Sequence, residues 1–266
     1  MKLLSIISLC IITTISCNSN AVETNNNNAP SQNTEATKPQ FQLVAQYPHN
    51  ATSFTEGLEY RDSTLYESTG LNAQSKLARV DLKTGKDILK IDIDKKYFGE
   101  GITILNGKIY QLTYQTEKAF LYDANTFKKL KEFSYKGEGW GMTNNGKQLI
   151  MSNGSNTLIY RNATTFAEEN SLAIFDENGA PLNAINELEF VDGFVYANIW
   201  QTDYIVKIDV AKGKVVARYD FNNLKLQYQS NVPNIDVLNG IAYNPTTKNF
   251  YITGKNWNLL FEVKLN

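Results

Sequence analysis

The sequence predicts an all-β fold, a five-bladed β-propeller whose N-terminal strand closes the last blade. Three observations carry that expectation. From residue 41 onward a strand–turn–strand pattern recurs five times, its second-strand markers spaced 44, 40, 46 and 55 residues apart. Tight-turn residues punctuate every unit. Long amphipathic helices are not evident.

Taken from the N-terminus, residues 1–17 read as an export signal. Lys2 supplies the positive start, and Leu3 to Ile12 form an apolar stretch too short to span a bilayer. The stretch ends at Thr14-Ile15-Ser16-Cys17, which resembles a bacterial lipobox, so Cys17 is the expected lipidated residue. An ordinary signal peptide cut nearby is the alternative. Residues 18–39, with Asn25 to Asn28 among Ser, Thr, Pro and Glu, offer little apolar surface to bury and read as a disordered tether. The expected location is exported and lipid-anchored, facing the periplasm or the cell surface, with no other membrane contact.

Residues 40–266 carry the repeats. The first turns are Arg61-Asp62-Ser63, Asn106-Gly107, Asn144-Asn145-Gly146, Asp192-Gly193 and Asn244-Pro245. Asn-Gly and Asp-Gly favour hairpins because they tolerate positive φ. The second strands follow with Tyr66, Tyr110, Ile150, Tyr196 and Tyr251 as markers. Third strands run into turns such as Asp81 to Lys86, Asp123 to Phe127 and Asp209 to Lys214. Four strands per unit of this length is the propeller pattern. The last unit has three clear strands, so Phe41 to Tyr47 is expected to complete it and close the ring, hiding the sheet edges.

Composition narrows the chemistry. A formal net charge of -1 argues against nucleic acid as a partner. Both cysteines, Cys10 and Cys17, lie in the leader, so the repeat region has neither disulfide nor thiol chemistry. His49 is the single histidine. A zinc site usually needs more imidazoles, and His49 is expected to pack the Pro48-His49 turn, partly buried or at the surface.

Repeat register then picks out two rings. The residue before each first-strand reference position is Glu56, Glu100, Trp140, Asn186 or Asn239, and first strands line the channel of a propeller. Four residues after the markers lie Gly70, Tyr114, Gly154, Trp200 and Lys255. Buried carboxylates are costly unless paired or functional. From register alone, satisfied polar residues that merely plug the channel remain an alternative.

The same segments carry a resemblance. Ser53-Phe54-Thr55-Glu56-Gly57-Leu58, Tyr97-Phe98-Gly99-Glu100-Gly101-Ile102, Glu138-Gly139-Trp140-Gly141, Asn186-Glu187-Leu188-Glu189, Ala197-Asn198-Ile199-Trp200, Leu238-Asn239-Gly240-Ile241 and Thr253-Gly254-Lys255-Asn256-Trp257 occur in order. The chain resembles the plant and bacterial glutaminyl cyclases, or glutamine cyclotransferases, along its whole repeat region. The resemblance implies a five-bladed propeller that converts N-terminal glutamine of peptides to pyroglutamate with no cofactor and no catalytic metal. It implies Glu100 as the catalytic acid, Asn186 and Lys255 as amide and oxyanion contacts, and Phe54, Phe98, Tyr114, Trp140 and Trp200 as the aromatic pocket. The channel ring adds Glu56 and Asn239 as expected substrate contacts. Glu56 stands where the family commonly has Gln, Tyr114 where Trp is common, and Asn258 where Pro is common. A second carboxylate at position 56 should raise the pKa of one member of the pair. The expected partners are peptides or proteins that begin with Gln, acted on by a monomer. A non-catalytic peptide-binding propeller and a calcium-dependent, lactonase-like propeller are the competing readings; Glu56, Glu100, Asn186 and Asn239 approach a cation-ligand set.

Overall fold

The computed structural model describes residues 40–229 and 231–266; the leader, Cys17 and the tether up to residue 39 lie outside the described residues. The described residues form five antiparallel four-stranded sheets. Blade one holds β2 (Thr55–Arg61), β3 (Thr64–Thr69), β4 (Lys76–Val80) and β5 (Asp87–Asp92). It follows β1 (Phe41–Pro48), which belongs elsewhere. Blade two is β6 (Gly99–Leu105), β7 (Lys108–Thr113), β8 (Lys118–Asp123) and β9 (Lys129–Ser134). Blade three is β10 (Met142–Asn144), β11 (Gln148–Met151), β12 (Thr157–Asn162) and β13 (Glu168–Ala173). Blade four is β14 (Ile185–Val191), β15 (Phe194–Ile199), β16 (Tyr204–Asp209) and β17 (Lys214–Asp220). Blade five combines β18 (Leu238–Asn244), β19 (Asn249–Gly254) and β20 (Leu259–Leu265) with β1. The innermost strands contact one another in cyclic order, β2 to β6, β10, β14, β18 and back to β2, so the ring is closed.

The local chemistry explains the hairpins. Asp62 and Ser63, Asn106 and Gly107, and Asp192 and Gly193 all take positive φ, as two-residue turns between right-twisted strands require. At the third turns, a side-chain oxygen of Asp81, Asp123, Asn162 or Asp209 accepts backbone N–H groups two or three residues on. Five clusters of buried side chains fill the spaces between adjacent blades. Leu77, Ile102, Ile109 and Phe120 join blades one and two, and Leu58, Ala78, Tyr251 and Leu260 join blades one and five. Inner strands are buried on both faces; outer strands such as β5 and β9 are largely exposed.

Ring closure is fixed at two levels. β1 pairs antiparallel with β20, from Phe41 opposite Leu265 to Pro48 opposite Leu259, as the repeat count requires. Beyond β1, His49 is not a surface residue. Its side chain is 2% exposed and pairs with Glu67 of blade one, Nε2 to Oε1, at 2.9 Å. Its Nδ1 lies 2.7 Å from the Trp257 carbonyl oxygen. Both ring nitrogens therefore face acceptors, which only the imidazolium can satisfy. Ser53 and Thr55 hydroxyls donate to the same carboxylate. Burial works against the charge on His49, but Glu67 beside it and the Trp257 carbonyl outweigh that and raise its pKa. Burial likewise opposes ionisation of Glu67, yet His49, Lys76 and the hydrogen bonds hold it below the usual carboxylate range.

Two features differ from the repeat reading. A short helix, α1 (Asn222–Gln229), and a loop to Val237 are inserted between β17 and β18. This insertion accounts for the long last interval. In addition, Glu59, Glu187 and Glu189 act as braces between blades. Glu187 accepts the N–H groups of Leu58 and Ile241, Glu59 those of Ile104 and the Thr103 hydroxyl, and Glu189 that of Tyr243. Each carboxylate satisfies a backbone donor on an inner strand, which is the edge strand of its own sheet.

Candidate active site

The pairing of first and second strands slips at the same place in four blades. The register shifts lie between Thr55 and Gly57, Gly99 and Ile102, Ile185 and Leu188, and Leu238 and Ile241. A bulge frees a residue from the ladder and re-aims its side chain. The residues within these bulges include Glu56, Glu100, Asn186 and Asn239, so the ring read from the repeats is the set that leaves the ladder. In blade three Trp140 lies just before β10, and its backbone N–H donates to Ser152 O at 3.1 Å.

A cavity of about 340 Å³ opens at this end of the channel. Its walls include Phe54, Glu56, Phe98, Glu100, Tyr114, Trp140, Asn186, Trp200 and Lys255. Every sequence-predicted catalytic or aromatic residue is thus brought together. Asn239 is not on the wall. It is fully buried behind Glu56, donating from Nδ2 to Glu56 Oε2 at 3.2 Å and to Thr55 O at 2.9 Å.

The aromatic wall depends on two glycines of the second ring. A Cβ on Gly70 would run into the Phe98 ring, and one on Gly154, which also has φ +78°, would lie 2.6 Å from Trp140. Phe98 then packs between Phe54 and Tyr114, with centroids 6.2 and 5.8 Å away, and Trp140 meets Trp200 edge-on at 5.4 Å.

The floor is polar and buried. Glu56, Glu100, Asn186 and Lys255 are each at most 5% exposed. Lys255 Nζ donates to Glu56 Oε1 at 2.7 Å and sits 4.5 Å from the Phe54 ring centroid. Lys255 is therefore not a free cation awaiting an oxyanion; it already has a carboxylate partner. Burial pushes Glu56 up to about 7, against the pull of Lys255. Burial also pushes Glu100 well above the usual carboxylate range, helped by the Glu56 charge and opposed by Lys255. Of the two, Glu56 is the carboxyl whose oxygen faces the Lys255 ammonium. Strand β6 is held in place from behind: Ser68 Oγ donates to Glu100 O, Gln111 Nε2 to Ser68 Oγ at 2.8 Å, and Tyr122 OH to Gln111 Oε1 at 3.1 Å. Asn186 Oδ1 is buried without a hydrogen-bond partner. An orphaned acceptor at a pocket wall is suited to a substrate N–H.

Three wall residues escaped the repeat reading: Gln201, Asp236 and Val237. Asp236 and Val237 belong to the insertion, which has no equivalent in other blades, so register could not find them. The extra length before the last blade was the available signal. This loop also fixes Lys255, because Asp236 N donates to Lys255 O, Lys255 N to Val237 O and Trp257 Nε1 to Asp236 O, at 2.9, 2.9 and 3.0 Å.

The glutamine cyclotransferase family model matches residues 11–265. The chain belongs to the glutamine cyclotransferase family. It is 37% identical over 229 residues to a glutaminyl-peptide cyclotransferase of Arabidopsis thaliana, a match covering 85% of this chain and 71% of that one. Its fold resembles the crystal structure of Myxococcus xanthus glutaminyl cyclase, with a TM-score of 0.80 at 31% identity, over 86% of this chain and 97% of that chain. Within this family member the cation-site alternative meets a specific obstacle: the Lys255 ammonium occupies the position beside Glu56. No group of three or more His, Cys, Asp or Glu side chains arranged to hold a metal occurs among the described residues.

Proposed function

We propose that this chain cyclises the N-terminal glutamine of peptides and proteins to pyroglutamate, releasing ammonia without a catalytic metal. One observation carries the reading: a carboxyl, Glu100, buried at the floor of an aromatic well where burial favours its neutral form, beside an ion pair and an orphaned amide acceptor. The substrate's α-amino nitrogen attacks its own side-chain amide carbon. The C–N bond of the lactam forms, the bond to the amide nitrogen breaks, and ammonia leaves. The attacking nitrogen loses one proton and the leaving nitrogen gains one, so a single group can serve both. Glu100 donates to the leaving nitrogen and recovers a proton from the ring nitrogen. Asn186 Oδ1 would accept from a substrate N–H, and Lys255 would turn toward the developing oxyanion. The aromatic walls hold the chain curled, which gives an intramolecular pair its high effective molarity.

Ammonia release from a Gln-initiated peptide, with mass spectrometry for the lactam, tests the reading. Turnover should be the same before and after EDTA treatment. Loss on chelation, restored by a divalent cation, would overturn the metal-free route.

Glu56 tunes this site rather than running it. Replacing it by Gln removes the neighbouring charge that raises Glu100 and frees Lys255 to lower it further. The Glu56→Gln enzyme should stay active, with the limb of its pH–kcat/KM profile that reports Glu100 moved to lower pH by roughly one unit. A limb that stays in place would separate the two carboxylates electrostatically.

The same reading places residues 1–17 as a lipoprotein signal and residues 18–39 as the tether that holds the propeller off a membrane. Cys17→Ser should move the protein from the membrane fraction to the soluble fraction; retention in the membrane would refute the anchor.

A further inference from the structure

We infer that Asp236 makes the mouth of the pocket selective by charge, favouring substrates with a basic residue directly after the N-terminal glutamine over those with an acidic one. The inference rests on the cyclisation reading for which end of the substrate enters first.

The pocket has a depth gradient. The polar floor is buried, whereas Trp200 is 41% exposed and Asp236 is exposed at the rim. A glutamine side chain and its α-amino group must both reach Glu100, so the second residue of the peptide is left at the rim. The charges there are one-sided. Among the wall's charged groups Lys255 and Glu56 cancel in an ion pair and burial favours the neutral form of Glu100, which leaves the Asp236 carboxylate uncompensated. Glu138 adds a further negative charge beside the wall, accepting from Trp140 Nε1 at 3.0 Å. Lys225 is paired with Asp203 at 3.0 Å and Lys136 with Glu117 at 2.9 Å.

Asp236 is held where a second residue would pass. Its Oδ1 accepts the Val237 N–H at 2.7 Å, and its backbone is tied to Lys255 and Trp257 as described. The loop therefore presents the carboxylate on a fixed support. A rim ion pair is worth little in absolute terms, but attraction for one side chain and repulsion for the other compound. The resulting preference should be on the order of tenfold at low ionic strength, and salt should erode it.

The test uses C-terminally amidated Gln-Lys, Gln-Ala and Gln-Glu peptides with wild type, Asp236→Asn and Asp236→Lys. Asn keeps the oxygen that accepts from Val237. Wild type should rank the peptides Lys, Ala, Glu by kcat/KM, Asp236→Asn should shrink the Lys-to-Glu ratio about threefold, and Asp236→Lys should invert it. An unchanged ratio in both variants, including an equal loss on all three peptides, overturns the inference. Tryptophan-fluorescence titration with the same peptides reads the charge preference without turnover. A preserved binding order with no cyclised product would sink the cyclisation reading and leave the mouth selectivity standing; product without a charge preference would do the reverse.

Discussion

Glu100→Gln should lower kcat by roughly 10²-fold or more while KM changes little. The amide keeps the size of the side chain and its place on β6, but it can no longer pass a proton between the attacking and leaving nitrogens. The backbone support from Ser68 and Gln111 reaches the Glu100 carbonyl rather than its side chain, so the fold around it should survive. Single-turnover ammonia release by folded, purified protein measures the loss. If Glu100→Gln kept most of its activity while Glu56→Gln lost it, the proton would travel through Glu56, and the order of the two carboxylates would be reversed. The geometry argues for Glu100. Glu56 has both oxygens engaged, by Lys255 and Asn239.

Glu67→Ala should cost about 3–5 kcal/mol of stability, the range for breaking a buried ion pair from one side. It would leave His49 with two acceptor-facing nitrogens and one acceptor, and would orphan the Ser53 and Thr55 hydroxyls at the seam where the ring closes. At about 2–4 °C per kcal/mol for a chain of this size, the melting temperature should fall by roughly 6–20 °C. The pH dependence follows from the two shifts. Glu67 is lowered, so its contribution is complete above the ordinary carboxylate pKa and is lost as pH falls through its lower folded value. His49 is raised, so its contribution is complete below the ordinary imidazole pKa and is lost as pH rises through its higher folded value. The difference between wild type and variant should therefore be widest between about pH 4.5 and 6.5 and should narrow on either side. A melting difference that does not change with pH would show that packing, rather than the ion pair, carries the effect.

The five blades, the closing strand and the ring that supplies the site were legible in the sequence because each rests on local chemistry repeated along the chain. Asn106-Gly107 and Asp192-Gly193 specify hairpins by their own backbone preferences. An equal offset of ten residues before Tyr66, Tyr110 and Ile150 then places Glu56, Glu100 and Trp140 at equivalent positions without any knowledge of contacts. Closure by Phe41 to Tyr47 followed from counting strands, since an incomplete last blade would leave an edge unpaired. What lay beyond the sequence was decided by residues far apart in the chain. Lys255 meets Glu56 across 199 residues, and His49 meets Trp257 across 208. Neither pairing has a period to reveal it, because a closed ring brings its first and last blades together whatever their separation. Asn239 shares the register of Glu100 yet supports Glu56 from behind, because equivalent backbone positions do not dictate where a side chain points once a bulge has re-aimed it. Asp236 arrives on an insertion with no counterpart in other blades, and only packing against Lys255 and Trp257 sets it at the mouth. Periodicity along the chain determined the scaffold and the candidate residues; contacts across the ring determined which of them hold a charge, which hold a proton and which face the solvent.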